Sequence, residues 1–376
     1  MRLALSSGAE RETFLTVCSA SVRRAFVEHQ PIYICAAFFA ATTSALAFFF
    51  KVPADIASCL FFLEMALGCL VVGGAVLMAY GFVMLARDGF PAGPTRVLIQ
   101  QLLRWFQEGE RPGNAFHAIL ALSILEVSFT TLKEAIVQIH PFSWDRTFMQ
   151  WDRFIGFGRL PWEYLQPLLG FAPLTMAINV VYDSWFVVMF GCVFWQIFSR
   201  MGGELRLQFL LAFSFAWFFG GNLLALVFSS AGPCFYGHLY PGADPYAAQM
   251  AYLHAVNQNW PIWSVDVQQT LWRSYAAGHG ALGGISAMPS MHVTIAVLLA
   301  IWGWRINRIA GWTLTAFATV IFIGSIHLAW HYAVDGIAGA ALAVIFWVAA
   351  GTVARVYSRA GRHTAVMAPA LDISGA

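Results

Sequence analysis

The chain has 376 residues, of which 59% are hydrophobic and 11% charged, and its formal net charge is +2. Soluble domains carry about 25% charged residues, so this composition excludes a water-soluble globular protein and predicts a polytopic membrane protein. The six cysteines fall mostly within apolar runs, and no metal-ligand spacing such as C-x-x-C or H-E-x-x-H is present. We therefore expect neither a disulfide framework nor a bound metal. We expect no nucleic-acid partner, and the oligomeric state stays open.

The apolar runs predict the membrane helices, because backbone polar groups cannot face lipid unpaired. Eight runs qualify in chain order: 32–50, 56–86, 115–139, 174–198, 207–229, 291 to about 309, 311–330 and 334–356. Two further segments, 94–107 and 145–168, mix apolar or aromatic residues with charges and predict interfacial amphipathic helices. The predicted fold is all-α: a polytopic membrane helical bundle of about eight transmembrane helices with two interfacial amphipathic helices.

The orientation follows from the arginines, which concentrate in the loops after the second, fourth, sixth and eighth spans. Since cytoplasmic loops are enriched in Lys and Arg, both chain termini are predicted to be cytoplasmic. The loop 230–290 and the turn around residue 331 then lie on the outer side. We expect an integral, multi-pass protein of a bacterial inner membrane.

The last third of the chain contains the most informative polar residues. Pro289-Ser290-Met291-His292 opens the sixth span, and His331 and Asp335 flank the start of the eighth. Two antiparallel helices would return His331 to the membrane face of His292. The spacing of four predicts that His331, Asp335 and also His327 share one helix face, where the carboxylate accepts an imidazole N–H. A helix-packing histidine is the alternative for one such residue alone; the combination at one membrane surface predicts phosphoryl chemistry.

Two further residues suit a bound phosphate. Ser290 can cap the start of a helix, and a helix N-terminus carries spare N–H donors and partial positive charge. Lys133 lies near the outer end of the third span, beside Glu134. Taken alone, an ordinary N-cap and a snorkelling lysine explain these two residues equally well.

Together these residues resemble the type 2 phosphatidic acid phosphatase superfamily, whose signature is K-x6-R-P, then P-S-G-H, then S-R-x5-H-x3-D. Lys133 is followed after six residues by His140-Pro141, and the 289–292 block, His331 and Asp335 come next in the same order. Residues 151–166 and 232–236 are similar to segments of the branch that contains inositol phosphorylceramide synthases. The resemblance covers roughly residues 115–355.

The resemblance implies a role for each matching residue. His331 would be the nucleophile, Asp335 would orient it, and His292 would be the acid and base. Lys133, His140 and Ser290 would bind phosphate, without a metal or another cofactor. Both signature arginines are missing, since His140 and Ser325 occupy their positions. The residues expected as further substrate contacts are therefore His327, Ser325, Arg146 and Arg153.

Three functions remain open from the sequence. A lipid phosphotransferase would move a phospho-headgroup through a phosphohistidine, as the inositol phosphorylceramide synthase likeness implies, whereas a lipid phosphate phosphatase would use water with the same residues. A non-enzymatic transporter or scaffold would explain the intramembrane Glu64, Glu126 and Asp183. The expected partners are a membrane lipid substrate and a small polar alcohol acceptor.

The expected domain organisation has three parts. Residues 1–113 form a cytoplasmic N-terminus, two transmembrane helices and an interfacial helix. Residues 114–358 form a catalytic six-helix membrane domain of the phosphatase or phosphotransferase type. Residues 359–376 form a cytoplasmic tail that is expected to be disordered.

Overall fold

The computed structural model of the protein describes residues 8–367 except for residues 90, 92, 200–201, 241 and 278–283. The protein is 83% helical, and no strand occurs in the described part of the chain. The α-helices are α1 (Gly8–Phe50), α2 (Ser58–Asp88), α3 (Pro94–Gln107), α4 (Arg111–Ile139), α5 (Asp145–Ile155), α6 (Pro161–Leu169), α7 (Ala172–Asp183), α8 (Trp185–Phe198), α9 (Gly203–Phe215), α10 (Ala225–Val227), α11 (Tyr236–Leu239), α12 (Ala247–Asn257), α13 (Trp263–Ala276), α14 (Met291–Ile306), α15 (Arg308–His327) and α16 (Ala333–Met367). A π-helical stretch, Ala216–Leu224, joins α9 to α10.

Seven helical stretches in the described residues are long and apolar enough to cross a membrane. They are Thr16–Phe50, Ser58–Arg87, Arg111–Ile139, Ala172–Phe198, Gly203–Val227, Arg308–His327 and Ala333–Arg359. α14 is a shorter apolar helix and corresponds to the sixth predicted span. The prediction of an all-α polytopic helical bundle is confirmed, and the protein is an integral membrane protein.

The structure differs from the predicted spans at three places. α1 begins well before residue 32, and its N-terminal half packs closely on α4, where a Cβ at Gly113 would lie 2.4 Å from the Ser21 carbonyl oxygen. The fourth span breaks at Ser184 into α7 and α8, and the fifth contains the π-helical stretch. α16 continues to Met367, into the predicted tail, whereas residues 368–376 lie outside the described residues.

The predicted interfacial segments are helical, but the second is two helices. Segment 94–107 is α3, which buries Leu98. Segment 145–168 forms α5 and α6, separated by a turn in which Phe157 and Gly158 have positive φ angles. α5 buries Asp145, Phe148 and Asp152 on one face. Both carboxylates are therefore enclosed by protein and not exposed to solvent.

α14 lies in the centre of the bundle and contacts α8, α9, α15 and α16. Its apolar side chains from Val293 to Trp302 are almost all buried in the main core cluster. The Asn307 side chain accepts a hydrogen bond from the Ala310 N–H at 2.9 Å and starts α15. The resulting antiparallel pair brings the C-terminus of α15 and the N-terminus of α16 back to the N-terminus of α14.

Candidate active site

The polar turn between α15 and α16 carries His331. α15 ends at His327, and Ala329 has a left-handed φ of 58°. The Ser325 carbonyl then accepts hydrogen bonds from the N–H groups of Trp330 and His331, both at 3.0 Å. His327, His331 and Asp335 therefore lie on three successive elements, and the expectation that they share one helix face is wrong. The left-handed conformation of Ala329 interrupts the continuous helix on which that expectation depended.

The imidazole of His331 is oriented by a backbone carbonyl. Its Nδ1 donates to the Ala287 carbonyl oxygen at 2.9 Å. Because a carbonyl oxygen can only accept, the proton must lie on Nδ1, and Nε2 keeps its lone pair. The nearest Asp335 oxygen is 3.5 Å from Nδ1 and accepts the Tyr332 N–H at 3.0 Å. Ala287 thus supplies the hydrogen bond that the sequence assigned to Asp335.

His331 lies between two membrane-spanning helices, and its burial determines its charge state. Removal from water lowers the pKa of His331 to about 3, and the positive charge of Lys133 acts in the same direction, while the hydrogen bond to Ala287 opposes both. A neutral imidazole with a free Nε2 is a nucleophile. His331 therefore has the protonation state that attack on phosphorus needs.

His292 faces His331 from the first turn of α14, and their ring centroids are 5.8 Å apart. Tyr182 stacks on the His292 ring at 4.7 Å, and Trp185 lies 4.6 Å from it. The Trp185 indole N–H also donates to the His292 carbonyl at 3.0 Å. Tyr182 and Trp185 are three residues apart and therefore lie on the same side of the helical segment. The sequence analysis missed them, because they lie inside an apolar run.

The start of α14 offers donors beside these histidines. Ser290 is fully buried, and its hydroxyl accepts the Val293 N–H at 3.4 Å as the N-cap. The Ser290 N–H donates to the Asp335 carbonyl at 3.1 Å, which ties α14 to α16. Within the described residues, the N–H groups of Met291 and His292 have no hydrogen-bond partner. These donors suit an anion at the helix terminus.

Lys133 lies on α4 near its C-terminal end, with only 8% of its surface exposed. In the part of the chain that the structure describes, its ammonium makes no hydrogen bond and no ion pair. The residues leading into α14 pack on α4 here, since a Cβ at Gly284 would lie 2.3 Å from the Lys133 carbonyl oxygen. Lys133 is therefore a buried cation without a counter-ion near the two histidines.

Two buried aspartates on α5 form hydrogen bonds that fix the nucleophile turn, which is the segment 328–332 between α15 and α16. Asp145 accepts hydrogen bonds from the N–H groups of Ala231 and Gly232 and from the Tyr332 hydroxyl, all between 2.9 and 3.0 Å. Asp152 accepts the N–H groups of Ala333 and Val334 at 2.8 and 2.9 Å and so caps α16. Burial raises the pKa of Asp152 to about 7, against these two hydrogen bonds. The sequence signal for this shared role is their spacing of seven, which puts both on one face of α5.

Three other sequence-predicted residues have partners within the protein. His140 Nδ1 donates to the Leu226 carbonyl at 2.7 Å, and its Nε2 accepts from the Ser143 hydroxyl at 3.2 Å. His327 bonds to the Thr175 hydroxyl at 2.9 Å, and Ser325 donates to the Phe322 carbonyl at 2.7 Å. In this arrangement His140 has no N–H left for a phosphate. His140 and His327 join the ends of different helices, whereas the Ser325 hydrogen bond lies within α15.

The two predicted arginine contacts lie on the exposed face of α5. The Arg146 guanidinium packs 4.5 Å from the centroid of the Tyr240 ring, and Arg153 is solvent-exposed. Neither has a contact with His292 or His331 among the described residues. No cluster of three or more His, Cys, Asp or Glu side chains suited to a metal ion occurs in those residues either. The metal independence of the reaction stays a prediction.

Comparison with known proteins gives one match. The PAP2 superfamily matches residues 146–349, which is more than half of the chain and includes both histidines and Asp335. No curated protein and no solved structure matches the chain. The inositol phosphorylceramide synthase-like branch is not distinguished by this match. The chain is a member of the PAP2 superfamily, whose members are phosphatases and phosphotransferases.

Proposed function

We propose that this protein is a lipid phosphotransferase that moves a phospho-headgroup through a covalent intermediate on His331. The observation that carries the proposal is the hydrogen bond from Nδ1 of His331 to the Ala287 carbonyl. It leaves the Nε2 lone pair free in a site that also contains a second histidine and an unpaired buried lysine.

In the first step, the Nε2 lone pair of His331 attacks phosphorus and forms an N–P bond. The P–O bond to the leaving alcohol of the donor lipid breaks, and protonated His292 gives its proton to that oxygen. A bound phosphate anion favours the protonated form of His292. Asp335 stabilises the positive charge that develops on His331, because its Oδ2 is 3.5 Å from Nδ1.

In the second step, the neutral His292 accepts the proton of an acceptor hydroxyl. The acceptor oxygen forms a new P–O bond while the N–P bond to His331 breaks. The packing of His292 against Tyr182 and Trp185 holds its ring on the site through both proton transfers. Water in place of the alcohol would make the same residues a lipid phosphatase.

The phosphate oxygens would bind to Lys133 and to the free N–H groups at the start of α14. Ser290 contributes as the N-cap that fixes these groups rather than as a direct donor. Because His140 and Ser325 are engaged within the protein, we do not assign them to phosphate binding. In this proposal Arg146 and Arg153, on the exposed face of α5, would contact the outer part of a lipid headgroup.

We further propose that the site opens on the outer membrane face, within a catalytic domain that spans residues 114–358. The distribution of arginines supports this orientation. Cysteines introduced between residues 242 and 262 should react with an impermeant reagent from outside, whereas cysteines near Arg305 and Arg308 should not. The opposite pattern would put the chemistry in the cytoplasm.

One assay separates the candidate activities. The purified protein is mixed with a phospholipid that is radiolabelled at phosphorus, with and without candidate alcohols, and the label is followed into free phosphate or a new lipid. We expect a new lipid that depends on the alcohol and on His331, and activity that survives EDTA. Free phosphate alone would identify a phosphatase, and no release of label in either form would exclude both enzymes.

A further inference from the structure

α5 presents three faces, and only one of them is buried. That face carries Asp145, Phe148 and Asp152 and packs on the nucleophile turn and the start of α16. The exposed side divides into two strips, since residues three, four or seven apart share a helix face. The polar strip consists of Arg146, Gln150 and Arg153, and the apolar strip consists of Trp151, Phe154 and Ile155. The apolar strip has no protein cover among the described residues.

The turn that follows α5 adds another exposed ring beside the apolar strip. Phe157 is 94% exposed and has a left-handed φ of 52°, a conformation that bulky residues rarely adopt. Backbone hydrogen bonds fix the turn, because the Phe157 N–H donates to the Phe154 carbonyl at 3.2 Å and the Gly158 N–H to the Arg153 carbonyl at 2.8 Å. The turn is therefore an ordered structure that holds a large apolar ring away from the protein.

The neighbouring membrane spans place this turn at the membrane surface. Residues 140–171 connect the span that ends with α4 to the span that begins with α7, so they lie on one side of the bilayer. This is the side of His331, because α5 contacts the start of α16. Arg153 and Arg159 flank the turn, are exposed, and form no ion pair with another described residue. At a membrane surface such arginines reach the lipid phosphates while apolar side chains enter the acyl region.

The apolar strip also contacts the residues that fix the nucleophile turn. The ring centroid of Trp151 lies 5.5 Å from that of the buried Phe148, which lies 6.1 Å from that of Tyr332. Asp152, next to Trp151 in the chain, accepts the two N–H groups that begin α16. A displacement of α5 relative to the membrane would therefore alter both contacts with the segment that carries the nucleophile.

We propose that the apolar strip and Phe157 insert into the membrane leaflet on the active-site side, and that this insertion holds α5 against the nucleophile turn. Lipid is the occupant, because the surface lies between two spans and has arginines for the lipid phosphates beside it. Chemistry at His331 would then depend on the bilayer. The insertion is independent of the proposed function, whereas its effect on turnover rests on that function.

Photo-crosslinking in lipid nanodiscs tests the insertion with the full-length protein. p-Benzoylphenylalanine replaces Phe157, and mass spectrometry identifies each adduct and the part of the lipid to which it is attached. Phe49, exposed in the first span, is the positive control site, and Arg153 on the polar strip is the matched control site on α5. We expect acyl-chain adducts at positions 157 and 49 and none at position 153. Adducts with a second protein chain, or none with acyl chains, at position 157 would overturn the proposal.

A pair of serine substitutions tests the effect on the site. Phe154→Ser combined with Phe157→Ser removes only exposed rings, so the thermal melt in detergent should be unchanged. In nanodiscs kcat should fall about tenfold, less than the roughly 100-fold that a displacement of about 1 Å can cost. Phe154→Leu combined with Phe157→Leu should keep the wild-type kcat. Phe48→Ser combined with Phe49→Ser, at the exposed end of α1, is the matched control and should leave kcat unchanged.

The outcomes separate the insertion from the chemistry. An unchanged kcat in the Phe154 and Phe157 serine pair, or an equal fall in the control pair, would overturn the link between insertion and the nucleophile turn. A wild-type protein without transfer activity would contradict the proposed function, and the cross-linking would still decide whether the turn is inserted.

Discussion

Asp152 gives the sharpest test of how the nucleophile turn is held. Asp152 is 2% exposed, and its carboxylate accepts the backbone N–H groups of Ala333 and Val334, which lie two and three residues after His331. Asp152→Ala leaves both groups without this partner. Each unsatisfied buried donor costs about 1–3 kcal/mol, so we expect the free energy of unfolding to fall by roughly 2–6 kcal/mol. Relaxation of the start of α16 would bring the loss toward the lower end of this range.

The same change should lower turnover. Without the cap, the start of α16 relaxes and His331 moves relative to His292, and a displacement of about 1 Å can cost roughly 100-fold in rate. We therefore expect kcat to fall about 100-fold with a smaller change in KM, because Lys133 and the start of α14 are unaltered. The assay is turnover of the labelled phospholipid at a temperature well below the unfolding midpoint of the variant.

Asp266→Ala is the control, since Asp266 is exposed on α13 and its side chain accepts a hydrogen bond from the exposed Asn257 amide rather than from the turn that carries His331. This change should alter stability by no more than about 0.5 kcal/mol and leave kcat unchanged. If Asp152→Ala were clearly destabilised and still turned over at the wild-type rate, α5 would not organise the nucleophile turn.

Three further predictions concern the site itself. Lys133→Met should lower kcat/KM by at least about 100-fold, the scale of losing one preorganised charge contact. Arg153→Gln should change kcat/KM less than about tenfold. The reverse ranking would mean that residues of α5, rather than Lys133, bind the phosphate. Trp185→Phe keeps an aromatic ring in contact with His292 but loses the hydrogen bond from the indole N–H, so kcat should fall about tenfold while binding of the lipid substrate is unchanged. An equal loss of binding would argue for a general structural role. For His331, the folded pKa of about 3 lies below the ordinary 6.5, so the unfolded chain takes up a proton first. Stability should then fall as the pH drops below 6.5, by up to about 1.4 kcal/mol per pH unit; His331→Asn should lose that share of the slope in thermal melts, and an unchanged slope would contradict it.

The membrane helices were predictable because every spanning segment must be apolar and must satisfy its backbone polar groups within itself, which a helix of about 20 apolar residues does. Each of the eight apolar runs is helical, although the fourth and fifth are interrupted. The antiparallel pair α14 and α15 brings His331 to His292, as the spacing of the motifs suggested. Helix breaks were not predictable. Ser184 interrupts an apolar run without a proline or glycine beside it, and Ala329 adopts a left-handed conformation that its sequence does not signal.

The polar support of the site was the part that sequence reasoning missed. The acceptor for His331 is the Ala287 backbone carbonyl, and no side-chain pattern identifies a backbone group. Asp145 and Asp152 fall in a segment that mixes aromatic residues with charges and that predicted an interfacial helix, which gives neither residue a role in the site. Their spacing of seven on one helix face was the available signal, but only tertiary packing shows that this face turns inward.

The central claim is that phosphorus becomes bonded to Nε2 of His331, and trapping the adduct tests it most directly. The protein is mixed with a phosphorus-labelled lipid, quenched rapidly in base and digested, and the labelled peptide is sequenced. We predict an acid-labile, base-stable label on the peptide that contains His331, present in the wild type, absent in His331→Ala, and released more slowly when His292→Ala removes the base. A label that persists in His331→Ala, or turnover without any labelled peptide, would contradict the account.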